Sequence, residues 1–285
     1  MDIDNNVWVG GWLLTSQGFV KINNSDGNLL TTIKKYGGGG YGGFVNSSGF
    51  LVSSGHDGAV LVLNTRNPNS YFVDTNVKVY GVCPDIQEKM FWATGREKKA
   101  ILKYEIDTVN KKCKLILEKN VLPSNGRGIC LTKNNGDVWA VSSYPNGKEV
   151  IVYNSDTHKC DTVKLSNQGA QPTGIAVDYN GKIWVTNLSL DNVVVLDEKS
   201  KNIERVISLG QGAGPYTYSD MTGYVLSNFT IPFISVEDNV DFGTINCENL
   251  NFERFLEICN SGYRDLIIYS INKKTKYFTI SFDSS

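Results

Sequence analysis

Arg96, Arg127, Tyr216, Tyr218 and Asp220 are the side chains of this chain best equipped to hold a ligand. A guanidinium clasps carboxylates and stacks on rings, a phenol offers a flat face and a hydroxyl, and an aspartate accepts hydrogen bonds. Asp220 has a plainer alternative, the satisfaction of backbone amides in its own turn. A second set, Asp178, Asn187 and Asp220, carries the oxygen donors that a hard cation such as calcium or magnesium prefers. Imidazole chemistry is scarce. His56 lies in the turn SGHDG and His158 in the turn SDTHKC, on different repeats, and both read as solvated turn residues.

The six cysteines (Cys83, Cys113, Cys130, Cys160, Cys247 and Cys259) form no CxxC pair, which argues against structural zinc. Cys83 and Cys130 sit in apolar runs and read as small buried side chains; Cys113 and Cys160 occupy the same place in successive repeats and read as free thiols. The glycine clusters YGGGGYGG (36–43) and GQGAG (210–214) lack the helix and the Gly-Lys-Ser/Thr ending that phosphate cradling requires. Each precedes an inner strand, where glycine admits positive φ and close backbone approach.

Those residues hang on a repeat. FVKIN ending at Asn23, VLVLN at Asn64, ILKYE at Glu105, VIVYN at Asn154 and VVVLD at Asp197 recur about every 41–49 residues, and LIIYS follows at Ser270. This is the period of a four-stranded propeller blade. QPTGIAVDYNGKIWVTN (171–187) shows the unit best: strand, turn, strand, with Asn180-Gly181 suited to a two-residue type I′ hairpin. Asn135-Gly136 takes the same place one repeat earlier, and Trp92, Trp139 and Trp184 fall at equivalent positions, where a large ring packs between facing blades. The fold class is therefore all-β: a single β-propeller domain over 1–285, with six blades favoured and a five-blade reading left open.

The first blade is incomplete, because NVWVGGW, GFVKIN and LLTTIK have no inner strand before them. Either that blade has three strands, or the native protein begins upstream, or PYTYSDM (215–221) closes it and leaves five blades with a C-terminal appendage. In the six-blade reading residues 229–264 are an insertion in the last blade. Leu250, Phe255, Leu256 and Cys259 lie there at helical spacing, so a short helix is expected over 248–262.

The pattern at 172–187 resembles the NHL-repeat and virginiamycin B lyase-like propellers, and more loosely the gluconolactonase-like calcium propellers. GPYTYSDMTG (214–223) is similar to a stretch near the propeller end of bacterial exported proteins of this group. The lyase-like resemblance implies a Glu and His pair assisting a metal, but the matching strand ends, Gly10-Gly11, Ser53-Ser54, Thr94-Gly95, Ser142-Ser143, Thr186-Asn187 and Ser227-Asn228, carry no such pair. The gluconolactonase-like resemblance implies an acid, an Asn and an Asp round a divalent ion, for which Asp178, Asn187, Asn228 and Asp220 are available, with no Glu to complete them.

Composition narrows the function classes. A formal net charge of −1 gives no global field for nucleic acid or an anionic membrane. No apolar run approaches the ~20 residues of a membrane span, and MDIDNNVWVGG does not read as a secretory signal. The expectation is a soluble, non-enzymatic propeller that binds a protein or a small-molecule or glycan ligand on its central funnel face and needs no cofactor. The alternatives are a calcium- or magnesium-dependent hydrolase or lyase, and a carbohydrate-binding or surface-attachment module.

Overall fold

The structure, a computed structural model, describes residues 2, 4–11, 18–33, 38–46, 48–86, 89–132, 136–178, 180–217, 234–236 and 258–260. The chain divides into two units, Met1–Phe229 and Thr230–Ser285. In the first, β1 (Val7–Gly10), β2 (Phe19–Ile22) and β3 (Leu29–Ile33) form a three-stranded antiparallel sheet. Four four-stranded sheets follow in chain order. They are β4 (Gly42–Val45) to β7 (Tyr71–Asp74), β8 (Val79–Pro84) to β11 (Lys112–Lys119), β12 (Asn125–Leu131) to β15 (Cys160–Lys164), and β16 (Pro172–Val177) to β19 (Ile203–Ser208). Every strand pairs antiparallel with its neighbour in sequence, as a blade requires.

The alternation of side chains explains why the sheets stack face to face. Trp92 and Trp139, on the second strands of their blades, are fully buried at the positions expected of them. Trp92 meets Tyr153 of the next sheet edge to face, with centroids 5.9 Å apart, and both belong to one apolar cluster spanning three blades. Trp184 departs from that expectation. It is half-buried, its Nε1 donates to Asp178 Oδ2 at 2.8 Å, and Arg205 lies 5.5 Å over its ring.

Inner strands β4, β8, β12 and β16 run side by side, and their glycines set the approach. A Cβ on Gly128 would lie 2.9 Å from the Cα of Gly174, and one on Gly81 would strike the carbonyl oxygen of Arg127. Only glycine leaves room there. A belt of hydroxyls ties neighbouring inner strands together: Ser54 Oγ donates to the Tyr80 carbonyl at 2.7 Å, and Thr94 Oγ1 donates to that of Arg127 at 2.6 Å. Thr173 Oγ1 reaches the carbonyl of Pro215, and Thr186 Oγ1 lies 3.1 Å from Thr217 Oγ1. Residues 215–217 thus run along β16 as the inner strand of a following blade would; 218–229 lie outside the described residues.

The turn at Asn180-Gly181 differs from the two-residue type I′ hairpin. Asp178 N bonds to Lys182 O and Gly181 N to Asp178 O, which makes a three-residue loop with Gly181 at φ +76° closing it. The cause is Asp178: its Oδ1 accepts from the amides of Asn180 and Lys182, both at 2.9 Å, and so stabilises the wider loop. Asn46 does the same between β4 and β5 (Phe50–Ser54), with Gly49 at φ +84°. Gly136 also has positive φ, while Asn135 lies outside the described residues.

In the second unit β20 (Ile234–Val236) pairs antiparallel with β21 (Ile258–Asn260). The helix expected over 248–262 is therefore corrected at its C-terminal end, where Cys259 stands in a strand opposite Ser235. Ile234, Val236 and Ile258 are β-branched residues that favour pleated backbone, and the ladder with β20 outweighs the apolar spacing. Residues 248–257 lie outside the described set, as do the strands assigned to a sixth blade after residue 265.

Candidate functional site

Position follows from the repeat. In each blade the residue just before the axial glycine stands at the N-terminal end of the inner strand, on the ring face where the chain arrives from the preceding blade. That residue is Tyr80 ahead of Gly81, Arg127 ahead of Gly128 and Thr173 ahead of Gly174. Tyr41 precedes β4, and Tyr216 takes the corresponding place in 215–217.

These ends converge. The Tyr80 and Tyr216 hydroxyls are 2.6 Å apart, Tyr41 and Tyr80 3.0 Å, and Tyr41 and Tyr216 3.2 Å, so three phenols from three blades close a triangle. The Tyr41 ring meets Tyr80 edge to face at 5.3 Å and the exposed His56 at 5.4 Å. Arg127 Cζ lies 5.1 Å from the Tyr216 ring centroid and 5.5 Å from that of Tyr80. Burial, then hydrogen bonds with Tyr216 and Tyr41, push the Tyr80 phenol far above its ordinary range, against the pull of the Arg127 charge. The Tyr80 phenol is therefore neutral at physiological pH.

The loop that delivers Tyr216 is braced from the fifth blade. Asp191, between β17 (Lys182–Asn187) and β18 (Asn192–Asp197), accepts the amides of Gly214 at 2.6 Å and Gly212 at 2.7 Å. Those two bonds hold its carboxyl below the usual carboxylate range. Gly210, Gly212 and Gly214 all have positive φ, so the GQGAG run serves a backbone need. Gly39 and Gly40, in the other glycine cluster, do likewise.

Of the ligand-binding candidates, the structure brings Arg127 and Tyr216 together. Arg96, in the loop after β9 (Met90–Gly95), donates its amide to Lys78 O at 3.2 Å and packs by Gly58, and among the described residues no hydrogen bond links it to the triangle. Tyr218 and Asp220 lie outside the described residues. Asp178 and Asn187 are not brought together: they flank opposite ends of β17, about 16 Å apart at ~3.3 Å per residue. Among the described residues, the donors to Asp178 (the amides of Asn180 and Lys182 and the Trp184 indole) are groups of its own hairpin, and Asn187 Nδ2 donates to Asn192 Oδ1 at 2.9 Å. Among the described residues, no group of three or more His, Cys, Asp or Glu side chains is placed to hold a metal.

Tyr41 and Tyr80 are site residues that the sequence reading does not single out, and His56 stands exposed in its turn beside the Tyr41 ring. Aligning the residue ahead of each axial glycine would have exposed Tyr80 beside Arg127. The four described cysteines Cys83, Cys113, Cys130 and Cys160 are free thiols; Cys113 is buried, and burial with the nearby Asp74 charge pushes it up to about 12.

No family model matches the chain, and no curated protein matches it in sequence. Among solved structures it is similar to a streptogramin B lyase, at 14% identity and TM-score 0.58 over 74% of this chain and 67% of that one. It is also similar to a chain of the nidogen/laminin complex, at 13% identity and TM-score 0.57 over 76% of this chain and 80% of that one. The chain folds as a β-propeller. At these identities the likeness concerns the fold. No described helix of the propeller is long and apolar enough to cross a membrane.

Proposed function

We propose that this propeller is a binding module rather than an enzyme, taking a protein segment or a small-molecule or glycan ligand on the ring face around Tyr41, Tyr80, Arg127 and Tyr216. The observation that carries this reading is the convergence of three phenols and one guanidinium from four separated stretches of chain. Aromatic faces with a few convergent polar groups are the composition of a recognition site. The likeness to a chain from a two-protein complex supports the protein-binding version.

The test pairs a binding screen with a turnover screen. Wild type, Arg127→Met and Tyr216→Ala are applied to glycan and peptide arrays, and wild type is assayed on lactones, streptogramins and sugar substrates with calcium or magnesium present. The expected result is binding by wild type that both variants lose, and no turnover. Metal-dependent turnover would overturn the reading in favour of a hydrolase or lyase.

A further inference from the structure

Arginine stays protonated under any condition a folded protein experiences, so Arg127 brings a permanent positive charge to the ring face. Its guanidinium lies over the rings of Tyr80 and Tyr216. Nη1 is out of contact with solvent and makes no hydrogen bond. Among the described residues no ion pair reaches Arg127 either. The ring faces offset part of the charge, but a π-face offers no lone pair to an N–H lying in the guanidinium plane. A charged, desolvated donor without an acceptor is unfavourable, and an anionic oxygen placed against it removes that penalty.

The neighbours define the anion. The Tyr41, Tyr80 and Tyr216 hydroxyls satisfy one another in the closed triangle, and turning any one of them toward an incoming oxygen supplies a further O–H donor. Among the described residues, Arg127 is the full positive charge in contact with the triangle. A monoanionic carboxylate matches it in charge and in planar, two-oxygen geometry, whereas a dianionic phosphate would be left half neutralised.

We propose that the central face recognises a carboxylate, seated on Arg127 Nη1 and receiving hydrogen bonds from the Tyr80 and Tyr216 hydroxyls. This rests on the binding-face reading above. The carboxylate comes either from a free small acid or from an acidic residue of a polypeptide.

Calorimetric titration of the whole chain tests it with sodium benzoate, sodium glutarate, a hexapeptide with a central aspartate, its asparagine twin, a neutral oligosaccharide, and sodium phosphate at matched ionic strength. At least one carboxylate probe should bind wild type, at least tenfold more weakly to Arg127→Met, and with partial recovery in Arg127→Lys, which keeps the charge but loses the fork. Preference for the aspartate peptide over its asparagine twin assigns the carboxylate to a polypeptide; preference for benzoate or glutarate assigns it to a small acid. Without ligand, Arg127→Met should melt at or above the wild-type temperature, because it removes a half-buried charge whose Nη1 has no acceptor. That measurement also shows that the variant folds.

Equal carboxylate binding by Arg127→Met, or tighter binding of phosphate, would overturn the proposal. If only the oligosaccharide or the asparagine twin binds, and Tyr216→Ala abolishes it, the carboxylate is wrong while the binding face stands. Binding of no probe at all overturns the carboxylate, and the binding-face reading is then decided by the array screen alone.

Discussion

Gly128→Ala puts the inner wall of the ring to a direct test. The added Cβ would sit 2.9 Å from Gly174 Cα, 2.9 Å from Ile175 N and 2.9 Å from Thr173 O. Carbon atoms rest about 3.5–4.0 Å apart, so β12 and β16 must separate by roughly half an ångström or more. All three obstructing atoms are backbone. They are held by the β16–β17 ladder and by the bond from Gly174 N to Thr186 Oγ1 at 3.0 Å, so no side chain can swing aside. Overpacking of this kind costs about 1–3 kcal/mol, against a gain of about 0.4–1 kcal/mol from the stiffer unfolded chain. The net expectation is a loss of about 1–2 kcal/mol, or about 2–8 °C in Tm for a unit of this size. Thermal and urea unfolding of the Ala, Ser and Val variants should show a loss that grows with side-chain size. An alanine variant as stable as wild type, or more so, would refute the close approach of the inner strands.

Three further expectations follow from particular contacts. Gly181→Val should destabilise by at least about 1–2 kcal/mol, since φ +76° is a left-handed conformation that a β-branched residue resists; urea unfolding checks it. Trp139→Ala should cost about 3–5 kcal/mol as a fully buried truncation, and Trp184→Ala clearly less because Trp184 is half-buried; equal losses in parallel melts would contradict the difference. Asp191→Asn should loosen residues 210–217 in hydrogen exchange. Because the folded carboxyl of Asp191 titrates below its unfolded value, its contribution is present above the ordinary carboxylate range and fades as pH falls through the folded value. The stability gap between variant and wild type should therefore narrow below about pH 4; a gap that stays constant down to pH 2 counts against it.

The blade rhythm was legible because period-two alternation and the second-strand tryptophan are local signals that recur. The glycine runs 36–43 and 210–214 could be placed before inner strands on the same ground. The three-residue loop at Asp178 was not legible, because Asn-Gly alone suits a tighter turn and the deciding bonds come from the residue before it. The site was half legible. Arg127 and Tyr216 stand out by type, but their meeting depends on where the ring brings residues 127 and 216 across its axis. The helix assigned over 248–262 failed at Cys259 for the converse reason: helical spacing was visible in the segment, and its pairing partner 24 residues away was not.

The hydroxyl belt has a consequence for how such a face changes over generations. Ser54 and Thr94 bond to the backbone carbonyls of Tyr80 and Arg127 and make no use of those side chains. A carbonyl is the same group whatever residue bears it, which is how Tyr and Arg come to occupy successive N-terminal ends without altering the ring. Mechanical closure and surface chemistry are therefore written in separate atoms of the same residues. A mutation at position 80 or 127 rewrites what the face presents while the ring keeps its hold, so new specificities are reachable one substitution at a time. The reverse does not apply. Loss of the hydroxyl at Thr94 would strand both the Arg127 carbonyl and the Gly81 amide that bonds to it at 3.0 Å, so variation is steered toward the face and away from its fastening.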